Sequence, residues 1–131
     1  MSTMIGIHIS TKLAENNKIR EDVGDRIYPL VAPMGVPTYP FICYQTSVTN
    51  VEYTKDGASS DTVNAAGAII AKTYAEAAIL AQSARWALEC EKGSYESFEV
   101  DDCMLLGTQE DYLDELDAYS VTLNFEINVE S

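Results

Sequence analysis

The feature that most constrains the fold of this chain is its C-terminal stretch. Tyr119, Val121, Leu123, Phe125, Ile127 and Val129 alternate without a break with Ser120, Thr122, Asn124, Glu126, Asn128 and Glu130. A period of two puts the apolar set on one face of a β-strand and the polar set on the other. Such a strand needs a neighbour in a sheet and a layer to bury its dry face. The expected neighbour is the stretch from about Ser97 to Leu106, joined through an acidic connection from Thr108 to Asp117. A chain of 131 residues with 47% hydrophobic composition suits one core, so residues 1–131 are expected to form a single domain.

The best-marked helix begins at Thr73. Thr73-x-x-Glu76 has the pattern of a capping box, and Gly93 is placed to stop a helix running to about Glu91. Ala77, Leu80, Ala81, Ala84, Ala87 and Leu88 form one apolar stripe, suited to packing on a sheet. Ile79, Trp86 and Cys90 form a second strip beside it, and Gln82, Arg85 and Glu89 mark the polar edge. Two covers for the second strip are open: an amino-terminal helix of the same chain, or another subunit, since Trp is enriched at interfaces.

That amino-terminal helix is expected over about residues 4–16, with Met4, Ile5, Ile9 and Leu13 on one stripe and Asn16-Asn17 ending it. Lys18 to Val23 can add one short turn. Pro29, Pro33, Pro37 and Pro40, with Gly35, mark a surface loop, because proline removes a backbone donor and fixes φ. Phe41 to Val48 reads as a strand covered on both faces at its start. The polar stretch Thr49 to Asp61 carries an Asp56-Gly57 turn signal. A second strand, about Thr62 to Ala71, is rich in alanine and glycine, which suggests close packing against it. The predicted order is helix, strand, strand, helix, strand, strand. This is an α+β fold: an antiparallel or mixed sheet of about four strands with two helices packed on one face.

Residues able to do chemistry are scarce. The sequence has no nucleophile elbow, P-loop, dinucleotide fingerprint or His-Glu-x-x-His motif. His8 is the single histidine and sits among Ile5, Ile7 and Ile9, which favours a structural role over a metal ligand. Cys43, Cys90 and Cys103 are odd in number and widely spaced, the pattern of free thiols. Asp111, Asp114, Glu115 and Asp117 lack the ligand order and central glycine of a calcium loop. The expectation is no enzyme, no cofactor and no metal. The start of the chain resembles no secretory signal and no apolar run is long enough to cross a bilayer, so a soluble protein on the reducing side of a membrane is expected.

The net charge is −13. Nucleic-acid affinity comes from Lys and Arg displacing counterions, so sequence-specific DNA reading is excluded. The imbalance peaks between Glu89 and Asp117, where eleven acids face one base, Lys92. Such a surface serves solubility, or lets a polyanion slide past without sticking.

Four stretches, in order, resemble one family. They are Val23-Gly24-Asp25-Arg26-Ile27-Tyr28-Pro29, Tyr39-Pro40-Phe41-Ile42-Cys43-Tyr44-Gln45, Glu52-Tyr53-Thr54-Lys55-Asp56-Gly57, and Thr73-Tyr74-Ala75-Glu76-Ala77 leading into Ala84-Arg85-Trp86-Ala87-Leu88. Their order and spacing are similar to those of the tail-completion, or tail-terminator, proteins of long-tailed phages and prophages. The likeness covers roughly residues 5 to 90. The Ala-rich strand departs from the family pattern, and the acidic stretch after Glu91 has no counterpart in it. The resemblance implies a homo-oligomeric ring, commonly a hexamer, at the head-proximal end of the virion tail. Its implied partners are the tail-tube protein and the head-tail connector proteins, with assembly in the host cytoplasm, no membrane, and DNA passing through the ring. Candidate subunit contacts are Arg26, Tyr53, Asp56, Ile79 and Trp86. Rival expectations are a head-completion or neck connector subunit, and an unrelated small-ligand-binding protein.

Overall fold

The computed structural model describes residues 5–24, 26–30, 38–53, 59–95 and 98–130. The elements are α1 (Gly6–Glu15), α2 (Asn17–Asp22), β1 (Ile27–Pro29), β2 (Phe41–Tyr53), β3 (Ser59–Ala71), α3 (Tyr74–Leu88), β4 (Gly93–Ser94), β5 (Glu99–Leu113) and β6 (Ala118–Glu130). The strands form one sheet in the order β1-β2-β3-β6-β5-β4. Only β1 on β2 is parallel; every other pairing is antiparallel. The α+β class and the mixed sheet agree with the sequence. The sheet has six strands rather than four, because β1 and β4, of 3 and 2 residues, are too short to show a period. The added turn after Asn17 is a separate helix, α2, which makes three helices among the described residues.

β6 sets the register of the core. Its Leu123, Phe125 and Ile127 lie beside Gly67, Ala65 and Val63 of β3. On its other side Phe125 and Ile127 lie beside Leu105 and Cys103 of β5. This apolar face packs against Ile9 and Leu13 of α1 and Leu80, Ala84 and Leu88 of α3. The opposite face carries Thr62, Asn64, Ala66 and Ala68 from β3 and Thr122, Asn124, Glu126 and Asn128 from β6. These positions are small or polar and at most half-buried, while Met104, beside Glu126, and Leu106 expose apolar side chains on the same face. At one end of the sheet Phe41, Ile70 and Ala118 make a separate apolar cluster with Tyr28, Tyr39 and Leu113.

Asn16 turns the chain from α1 into α2. Its Oδ1 accepts from Ile19 N at 3.1 Å, the usual cap, while its Nδ2 donates to Ser83 O at 3.2 Å and ties the corner to α3.

Several expectations are corrected here. The stretch from Thr49 to Asp61 is largely strand, since β2 and β3 remain paired out to Tyr53↔Ser59, with a bulge between Val48 and Asn50. The acidic connection is likewise strand as far as Leu113, leaving a turn over 114–117. Acids on an outer strand point into water and do not oppose pairing, while bulges at Val100/Asp102 and Leu105/Gly107 erase the two-residue period. Helix α3 stops at Leu88, and Cys90, at φ 63°, makes the left-handed turn expected of Gly93. Gly93 lies in β4, where a Cβ would come within 2.9 Å of His8 Nδ1. Gly67 is the reverse case: no atom lies within 4 Å of the place its Cβ would take, so nothing packs tightly on the Ala-rich strand there. The Asp56-Gly57 turn lies outside the described residues.

Candidate interaction surface

Helix α3 presents two apolar arcs with different fates. Thr73 Oγ accepts from Glu76 N at 3.2 Å and starts the helix where the capping pattern predicts. The inner arc, Ala77, Leu80, Ala81, Ala84, Ala87 and Leu88, is buried on the sheet. On the outer arc Ile79 is 55% exposed, Trp86 is 69% exposed, and Cys90 is exposed. The amino-terminal helix does not cover this strip. It runs alongside, where Asn16 Nδ2 donates to Ser83 O and Lys12 Nζ stands 3.9 Å from Glu91 Oε1, and leaves Ile79 and Trp86 exposed. Arg85 pairs with Glu89 one turn on, and the two flank a shallow depression with Gln82, Trp86 and Cys90.

Between α3 and β5 runs a groove bounded by Tyr74, Ala78, Gln82 and Arg85 on one wall and Thr108 and Glu110 on the other. A hydrogen bond to Glu110 raises the Tyr74 phenol above its usual range and links helix to strand at one end. Beyond the groove β5 exposes Tyr112, followed by Leu116 in the turn, while Met104, beside Glu126, and Leu106 are exposed on the opposite face of the sheet. The sequence gives no clear signal for these exposures, because apolar residues inside a strand-like run read as core positions. The acids here also press on one another: Asp101 pushes the Glu130 carboxyl above the usual carboxylate range. The Tyr112 hydroxyl bonds to Asp117, which lifts its pKa to about 12 and closes the turn between β5 and β6.

The remaining sequence candidates are scattered. Arg26 is half-buried and occupied within its own chain: Nε donates to Pro40 O at 3.0 Å and Nη2 to Asp22 O at 2.8 Å. Tyr53 is 80% exposed at the far end of β2. Asp56 lies outside the described residues. Ile79 and Trp86 share one helix face; the structure brings neither to Arg26 nor to Tyr53.

His8 and Cys103 are ionisable groups buried in the core. His8 is fully buried, with Nδ1 2.9 Å from the Tyr95 hydroxyl and no partner for Nε2 among the described residues. Burial, with Lys12 one turn away, lowers its pKa to about 4, so the ring is neutral. Burial raises the Cys103 thiol to about 12, which removes its nucleophilic form at neutral pH. Among the described residues no three His, Cys, Asp or Glu side chains converge as metal ligands. No helix among them is long and apolar enough to cross a membrane.

No family model and no curated protein matches the sequence. The fold does have solved counterparts. It is similar to a chain from the virion of the native gene transfer agent (GTA) particle, with a TM-score of 0.80 at 16% identity. The superposition covers 94% of this chain and 92% of the other, so the two share a whole fold rather than a common hairpin.

Proposed function

We propose that the protein is a non-enzymatic structural subunit of a phage-like virion that assembles with copies of itself into a ring. Within the virion its place is the head-proximal end of the tail. There it ends the tail tube and meets the head-tail connector, as the ordered motifs from Val23 to Leu88 imply. The observation that carries the assembly reading is the outer strip of α3. Trp86 and Ile79 stand in water while the core beneath them is complete without them. Covering one large apolar side chain is worth about 1.5–3 kcal/mol, so repeated contacts around a ring add up to stable association. The whole-fold likeness to a component of a gene transfer agent virion supports the virion setting.

A hexamer is the ring size we propose. Charge fits passage of DNA, because a lumen presenting acids and neutral polar groups offers phosphate no cation to hold it. Electron microscopy of the purified protein tests the ring, and co-assembly tests its place. Rings that cap purified tail tubes are expected. Rings that bind portal complexes and ignore tubes would move the protein to the neck, and a monomer inert to both would end the virion reading.

A further inference from the structure

The sheet is only partly closed at its two sides. β1 pairs with Ile42–Tyr44 and β4 with Glu99–Val100. No other described strand pairs with the outer edge of β2 from Gln45 to Tyr53, or of β5 from Met104 to Leu113; just before that stretch Cys103 O accepts from Cys90 N at 2.7 Å. Long open edges are ready templates for another strand, and a protein that keeps two must either block them or use them.

Strand direction decides between like and unlike partners. β2, β3, β6 and β5 alternate in direction, so β2 and β5 run opposite ways. A rotation about an axis near the strand direction brings β5 of one copy beside β2 of the next. It does so antiparallel, with the same face of the sheet turned inward. The even number of long strands makes the alternation continue from copy to copy. Like edges fare worse: β5 against β5 would bring two copies of Glu110 and Asp111 onto one seam, and like charges close across strands destabilise. The open part of β2 carries one acid, Glu52.

The layers fit the same operation. Following the register across the sheet, Glu52 is level with Glu99 and Gln45 with Gly107, while the open edge of β5 runs on to Leu113. The two open edges are therefore staggered along the strands, as closing a sheet into a barrel requires. The helix layer is offset too. α1 lies against β2, where a Cβ on Gly6 would be 3.1 Å from the Tyr44 ring, whereas Thr108 to Tyr112 of β5 are uncovered. An incoming β2 with α1 above it would cover that strip and approach the Trp86 side of α3.

On the ring reading above, the geometry points to edge pairing between copies. β5 of each subunit continues antiparallel into β2 of the next, and the helix-free face of the sheet, with Asn64, Asn124 and Glu126, lines the lumen. Amide hydrogen exchange on assembled and dilute monomeric protein tests this. On assembly, exchange in residues 45–53 and 104–113 is expected to slow by about tenfold or more. Rings in which both segments exchange as in the monomer would overturn edge pairing and leave the ring standing. Protection of one segment alone would overturn it as well, since it means like edges have met. A failure to form rings at any concentration, alone or with tail tubes, would overturn both readings together.

Discussion

The two apolar arcs of α3 are made by the same helix, yet one is hidden and the other is in water. The inner arc is mostly alanine with two leucines, so little side chain separates the helix from the sheet. Its burial is complete once β3, β6 and α1 are in place. The outer arc is the bulkier, with Ile79 and Trp86, and nothing in the described chain reaches it. Hydrophobic content alone does not distinguish the two; what differs is whether the fold supplies a cover. The proposal that another subunit covers the outer arc rests on this difference: the one tryptophan is outside while the alanines are inside.

The comparison can be broken first at the inner arc. Leu80→Ala should cost about 2–5 kcal/mol, because a fully buried methyl-rich side chain is removed from a site held on several sides. A chemical melt of the dilute protein checks this. If the loss were below 1 kcal/mol, on the scale of a surface change, the inner arc would not be the core.

Acid attacks the cover of that arc. His8 sits on α1, and its folded pKa of about 4 lies below the ordinary 6.5. The folded state therefore binds its proton less readily than the unfolded chain does. The stability from this difference is complete above pH 6.5 and is lost as pH falls towards 4, by about 3 kcal/mol. His8→Gln should flatten this acid limb relative to the parent, measured as stability against pH. An unchanged slope would show that carboxylates alone govern it.

Gly67 sharpens the picture from the sheet side. The space above it accepts a methyl group, and alanine restrains the unfolded chain, so Gly67→Ala should stabilise by about 0.5–1 kcal/mol. Destabilisation would mean the gap is filled.

The smallest expected effect on the monomer is at the outer arc. Trp86→Ala should change monomer stability by less than about 0.5 kcal/mol, as exposed positions do. Thiol labelling gives a companion reading. Cys90, on this arc, should react well before the buried Cys103, and should be shielded when copies assemble.

Much of this fold is legible in the sequence. The alternation from Tyr119 to Val129 places β6 almost to the residue, and Thr73 to Glu76 places the start of α3. The class follows from these two. What escapes is what local pattern cannot encode. β5 hides its period behind two bulges, and its acids mimic a loop although edge strands tolerate charge. β1 and β4 exist only because β2 and β5 offer them an edge. The turn at Cys90 takes a left-handed conformation where glycine is the usual signal. The second strip on α3 is visible as composition, but only packing shows that α1 leaves it exposed. For Arg26 the sequence favours a local role in its turn over a subunit contact, and its guanidinium does bond two carbonyls of its own chain. The open edges follow from topology, which no single stretch carries.

The most direct measurement is the mass of the protein in solution as a function of concentration, for the parent and for Trp86→Glu. The parent should pass from one copy to a closed ring, and the variant should stay monomeric with its fold and melting behaviour intact. A parent that remains a monomer throughout, or a variant that assembles as well as the parent, would contradict the assignment of this strip to a neighbouring subunit.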